Sequence, residues 1–425
     1  MNSQDMQQQN NPRKRGIMWR IVIAELAILG LFFIAFLMSH KKTEEVLITV
    51  NQPVIVTMSL SEQLTLTKTP EQLVDEYMET MTLEEKVGQL FYVTVGNLAT
   101  PEYSGTNVYL NMNDDISGNI HTYYPGGVIL MGENIESDEQ VTELIQNLQN
   151  ESEIPLYVGV DEEGGIVSRL GGCAGITMEN VGTMQAVGET QDAGNAYHIG
   201  ETLGSGLRQY GFNMDFAPDA DVLTNPANTE IGSRSFGADA NLVADMVENE
   251  VLGMQEQGVS AVAKHFPGHG GVIGNSHKNL QYIDTPLESL RQTELVPFLA
   301  AMNADTDAIL ISHLVLTAYE EDIPSTLSSQ VVTGLLREEL GYDGIIITDS
   351  FQMGSVTENY DQSEAATLAI QAGCDMVLMP MEYEACYTAV IDGVKNGSIT
   401  EERINTSCRR ILLTKIKRGI LVITQ

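Results

Sequence analysis

Residues 259–277 read VSAVAKHFPGHGGVIGNSH. An apolar run, Val259–Ala263, stops at two ionisable residues, Lys264 and His265, and a stretch rich in glycine follows (Gly268, Gly270, Gly271, Gly274). A short buried strand with this ending delivers Lys264 and His265 to one edge of a sheet, and the loop beyond it carries His269 and His277. The pattern recurs along the chain. Apolar runs of strand length lie at Phe91–Val95, Gly127–Met131, Leu156–Val160, Asn213–Ala217, Ala308–Ser312, Ile345–Thr348 and Met376–Met379, separated by intervals long enough for a helix. Together with Val259–Ala263 they make eight strand–helix units over roughly 330 residues, which predicts an α/β fold of the (β/α)8, TIM-barrel type.

The residues that end these runs point the same way. Asp161, Asp219, Lys264 with His265, His313 and Asp349 all stand where an apolar run finishes. In a barrel such positions open on one face, the face that carries active sites. An open doubly wound sheet also gathers ligands at strand C-termini, so this clue does not separate the two architectures. No GxGxxG turn follows the first strand, which disfavours dinucleotide binding. Ahead of the barrel, Glu71–Met81 and Leu83–Leu90 read as helices, with Thr82 as N-cap and Glu85 completing a capping box. A single catalytic domain is expected over residues 70–425, with the barrel ending near residue 420.

Composition narrows the partners. At 43% hydrophobic residues the 425-residue chain is rich enough in apolar side chains to build a core rather than stay disordered. A net charge of −36 excludes a nucleic-acid partner held by a basic face. The four cysteines, Cys173, Cys374, Cys386 and Cys408, have neither CxxC nor zinc-ligand spacing, and Cys374 sits in an apolar run as a small hydrophobe. Residues 1–16 form a polar tail that turns basic at Arg13, Lys14 and Arg15, and residues 17–38 are apolar. That span is long enough to cross a hydrocarbon core of about 30 Å; Arg20 can snorkel, whereas Glu25 is a cost. No small-x-small site precedes His40, Lys41 and Lys42, so an uncleaved single-pass anchor is expected in preference to a cleaved signal peptide. Residues 39–69 then read as a linker, and the barrel lies outside the cell membrane.

Local sequence leaves individual site residues open. Asp349, in GYDGIIITDSFQMG, can be a nucleophile projecting from a barrel strand or the cap of the next helix. His277 can be a proton donor and acceptor near neutral pH or an exposed loop histidine. His265, His269 and His277 lack HExxH character, and Pro267 breaks helical presentation, so no metal is expected.

Taken together, DEEGG (161–165), IGSRSFG (231–237), KHFPGHG (264–270) and TDSFQM (348–353) resemble the motifs of bacterial β-N-acetylglucosaminidases of glycoside hydrolase family 3, over roughly residues 70–420. The resemblance implies a retaining β-N-acetylhexosaminidase that releases terminal β-linked N-acetylglucosamine from cell-wall fragments or other glycans, with no cofactor. It makes Asp349 the nucleophile and His277 the acid/base. It assigns Asp161, Arg169, Arg234, Lys264 and His265 to the sugar. Two positions depart from the family pattern. Asn275 stands where the Asp partner of the histidine is usual, and Ile166 where Arg is common. The loss of charge at Asn275 keeps two alternatives open: a glycoside phosphorylase of the same family, or a carbohydrate-binding or sensor protein with weakened catalysis.

Overall fold

The computed structural model describes residues 68–99, 108–274 and 278–423. Eight strands form a closed barrel: β1 Phe91–Thr94, β2 Gly127–Ile129, β3 Tyr157–Val160, β4 Met214–Asp215, β5 Ser260–Phe266, β6 Ala308–Ile311, β7 Ile345–Ser350 and β8 Met376–Leu378. Each pairs in parallel with the next in sequence, and β8 closes on β1 with Phe91 opposite Val377. Closure settles the choice between barrel and open sheet. It also explains why the strands read as continuous apolar runs: one face is covered by helices and the other by the filled interior.

Two helices precede the barrel, α1 Pro70–Thr80 and α2 Leu83–Gly88, and the Thr82–Glu85 capping box starts the second. The connections after β1 to β8 carry, in order, α3 Asp114–Tyr123, α4 Asp138–Glu151, α5 Ala193–Tyr210, α6 Ala240–Glu256, α7 Val296–Asn303, α8 Gln330–Glu339, α9 Gln362–Ala372 and α10 Tyr383–Asn396. A last helix, α11 Glu401–Lys417, packs against α1 and α2.

Aromatic rings fill the barrel interior. Tyr92 stacks on Tyr157 at 6.5 Å and meets Phe216 edge-on at 5.3 Å. Gly159, in the middle of β3, is what this packing requires, because a Cβ there would lie 2.3 Å from the Tyr92 hydroxyl. At the N-terminal ends of the strands, ion pairs to two buried carboxylates tie α11 to the barrel. Asp375, just before β8, accepts from Arg337, Arg403 and Ser407, and Asp307, just before β6, accepts from Lys417 and Arg418. Charge at this end is spent on stability.

The strand limits differ from the sequence reading by one to three residues, and three of them bear on the site. β5 runs on through Lys264 and His265, and β7 through Asp349, so these ionisable residues lie within strands and not after them. β4 is confined to Met214–Asp215, short of Pro218, which cannot donate to a ladder. All four cysteines are free. The apolar span 17–38, the linker 39–67, Asn275 and His277 lie outside the described residues. Among those described, no helix is long and apolar enough to cross a membrane.

Candidate active site

At the C-terminal ends of the strands lies a cleft of about 350 Å³, within the size range of small-ligand sites. Its polar wall is built by Asp161, Arg169, Arg234, Lys264 and His265, and Asp349 lines the same cleft. Met131, Phe216, Leu310, Met353 and Met379 supply apolar surface between them. All the sequence-derived site residues that the structure describes therefore meet in one place.

Asp161 leaves the end of β3, and its carboxylate takes the Lys264 ammonium at 2.7 Å and Arg169 Nη2 at 3.6 Å. Arg169 Nε is buried with no acceptor among the described residues, so a donor remains that a hydroxylated ligand can satisfy. After Asp161 the chain forms a hairpin, Glu162–Gly164 against Val167–Ser168. Glu162 staples it by accepting from the Ser168 hydroxyl and from the Arg169 and Leu170 N–H groups at 2.7 Å. Glu163 reaches the wall instead. It takes Arg234 Nε and Nη2 at 2.8 Å each and the Lys264 ammonium at 2.6 Å. Burial pushes the Glu163 carboxyl upward, but Arg234 and Lys264 outweigh it and hold the group well below the usual carboxylate range.

Behind Arg234 is a second buried group. Arg234 Nη2 lies 3.2 Å from His265 Nε2, which makes that nitrogen the acceptor and Nδ1 the donor to Asp221, 2.7 Å away. Asp221 also accepts the backbone N–H of His269 at 2.5 Å, which fixes the start of the glycine-rich loop. Burial alone would raise the Asp221 carboxyl; His265 outweighs it and lowers it. Asp219 goes the other way, raised by burial and by its neighbour Asp221. One ligand atom from each of Asp219, Asp221 and His265 falls within 4.8 Å of the others, a donor set suited to a metal. The Arg234 guanidinium, 3.5 Å from Asp219, already places a cation there, and His265 Nδ1 is committed to Asp221. The trio is built to orient Arg234 and His265.

Asp349 is half-buried near the end of β7. Its Oδ1 accepts the Ser350 N–H at 2.8 Å, and the short helix that follows, Gly354–Thr357, has Met353 at its N-cap position, so Asp349 does not serve as a helix cap. The buried His313, at the end of β6, donates from Nε2 to the Ser350 carbonyl at 3.0 Å while Nδ1 meets the Thr326 hydroxyl at 2.8 Å. The backbone carrying Asp349 is thereby pinned to the neighbouring strand. Burial, the largest influence on it, lowers the proton affinity of His269, which also faces Asp349.

Residues 82–414 match the glycosyl hydrolase family 3 N terminal domain. The chain belongs to glycosyl hydrolase family 3. This family 3 chain is 29% identical over 329 residues to beta-hexosaminidase A of Pseudoalteromonas piscicida, covering 71% of the chain and 55% of that protein. It is 31% identical over 297 residues to a beta-hexosaminidase of Xylella fastidiosa (strain 9a5c), covering 69% of the chain and 85% of the relative. Among solved structures it superposes on a family 3 beta-N-acetylglucosaminidase from Paenibacillus sp. str. FPU-7 with a TM-score of 0.75 and 36% identity, covering 81% of the chain and 65% of the other. The chain thus spans little more than half of the Pseudoalteromonas protein.

Sequence reasoning missed Glu163, Asp221 and the cleft-lining Glu230. For Glu163 a signal existed: it stands two residues after Asp161, the spacing that returns a side chain to the same face of an extended segment. Asp221 stands two residues after Asp219 in the same way.

Proposed function

We propose that the protein is a retaining β-N-acetylhexosaminidase. The observation that carries this reading is the shared cleft, in which Asp349 lines the same space as the Asp161 carboxylate, two guanidinium groups, an ammonium and an imidazole. Hydroxyl groups of a terminal sugar satisfy that wall: Asp161 accepts, Arg169 and Lys264 donate, and the apolar side chains pack on the ring face. Asp349 attacks the anomeric carbon and the glycosidic bond breaks, leaving a glycosyl ester that water hydrolyses. His277 gives a proton to the leaving oxygen in the first step and takes one from water in the second. Asn275 offers that histidine an acceptor without a charge. The hexosaminidase relatives support N-acetylglucosamine as the sugar. Cell-wall fragments are the glycan proposed, and the apolar span 17–38 is the anchor that holds the barrel outside the membrane.

A chromogenic N-acetyl-β-glucosaminide, assayed with and without phosphate, tests the reading. Release of free N-acetylglucosamine at a rate independent of phosphate is expected. Formation of the sugar 1-phosphate would make it a phosphorylase, the reading favoured by a missing negative charge at Asn275. Binding without turnover would make it a sensor.

A further inference from the structure

We infer that Glu163 is a positioning residue: its buried carboxylate locks the Arg234 guanidinium and the Lys264 ammonium in place on the wall of the sugar cleft. The inference rests on the glycosidase reading of that cleft and adds a residue whose carboxylate is occupied by two cations of the wall.

Two acids two residues apart divide the work. Both line the cleft, but the Asp161 side chain is 20% exposed and that of Glu163 is 1% exposed, closed off by the cations that it binds. Glu163 Oε1 takes both cations, Lys264 Nζ at 2.6 Å and Arg234 Nη2 at 2.8 Å, and Oε2 takes Arg234 Nε at 2.8 Å. A two-point contact fixes the plane of a guanidinium as well as its distance. An ammonium is different: on a flexible stem it follows whichever anion holds it. With Asp161 alone, Lys264 would track a partly exposed carboxylate that also serves the ligand. Glu163 on its inner side gives it a second, immobile anchor. Arg234 gains a third fixed point from its Nη1 bond to the Glu230 carbonyl at 3.0 Å.

The charges around Lys264 show what Glu163 contributes. Asp161 and Glu163 face it from the segment after β3, Asp215 from β4, and Arg234 from the loop after β4. Asp219, Asp221, His265 and His269 lie beyond Arg234. Burial works to strip the Lys264 proton, and the two carboxylates outweigh it, keeping the group charged above the ordinary lysine range. Removing the charge of Glu163 leaves one of the two to oppose burial and Arg234.

The test is Glu163→Gln, nearly identical in shape, assayed on a chromogenic N-acetylglucosaminide with thermal melting alongside. KM is expected to rise about tenfold or more, the scale of a lost charge-assisted contact. kcat is expected to fall by less than KM rises, because the wall of the cleft is loosened while Asp349 and His277 are untouched. A purely structural role would lower melting and leave the KM of the folded enzyme unchanged. Glu163→Asp keeps the charge but shortens the reach, so it should raise KM by less than Glu163→Gln does; this milder variant carries the test if the Gln protein does not fold. Unchanged KM in both variants overturns the inference. If the wild-type protein turns over no glycoside, the glycosidase reading has failed separately. Calorimetric binding of N-acetylglucosamine then decides: weaker binding by Glu163→Gln supports the positioning role and equal binding overturns it.

Discussion

The proposed attack of Asp349 on carbon needs a carboxylate that is held still, and its Oδ1 is held by the Ser350 N–H at 2.8 Å. Its place at the end of an apolar run marked it, as the same signal marked Asp161 and Lys264. The His313 bond to the Ser350 carbonyl, which pins the backbone beside it, links residues 37 positions apart and leaves no local trace. Glu163 and Asp221 were hidden for the same reason: DEE and DAD read as acidic loop until Arg234, 71 residues on, and His265, 44 residues on, are folded against them. Asp349→Ala is expected to cut turnover by at least about 10³-fold while the melting temperature stays close to wild type. Turnover within tenfold of wild type would remove Asp349 from the chemistry. Asn275→Asp is expected to raise kcat on substrates with poor leaving groups more than on nitrophenyl glycosides, since only the former need full proton transfer. A fall on both would show that Asn275 serves another purpose.

Elements were legible as periodic apolar runs, and their limits were misread where charge is buried. Hydropathy ends β5 at Ala263, yet the strand continues to Phe266 because the ion pairs of Lys264 and the bond of His265 to Asp221 make burial of those side chains tolerable. At the opposite end of the barrel, buried charge anchors an element. Asp375 binds Arg337 and Arg403, accepts from the Ser407 hydroxyl and takes the Ile346 N–H at 3.0 Å, joining α8, α11, β7 and β8. Asp375→Asn leaves partly buried guanidinium groups without their fully buried anion, and a loss of about 3 kcal/mol in urea unfolding is expected. Activity per folded molecule should not change. A loss under about 1 kcal/mol would mean that the helix is held chiefly by apolar contact.

At the scale of the molecule, closure of the barrel could be inferred from eight regular units, but the buried charges that make stability depend on pH could not. Glu250 on α6 is fully buried, neither carboxylate oxygen has a partner among the described residues, and burial raises its pKa from 4.5 to about 8. The folded state therefore keeps a proton that the unfolded chain gives up. Its stabilisation is complete below the unfolded value and drains away as pH rises toward 8. Lys415, lowered to about 7 by burial, acts in the opposite sense above that pH, so the clean window lies below it. Between about pH 5 and 7, the stability of Glu250→Gln relative to wild type is expected to grow by about 1.4 kcal/mol per pH unit. Parallel curves would mean that Glu250 is ionised in the fold. The proposed anchor is checked by fractionation: the full-length chain should sediment with membranes, and a soluble chain beginning near residue 40 would contradict it.

Covalent labelling reaches the central proposal most directly. The protein is incubated with a fluorinated N-acetylglucosaminyl donor that slows breakdown of a glycosyl–enzyme ester, then digested and mapped by mass spectrometry. One sugar on the peptide containing Asp349, lost on treatment with an acceptor, is the expected result. Label on Asp161 or Glu230, or full turnover of substrate with no covalent species formed at all, would contradict the account.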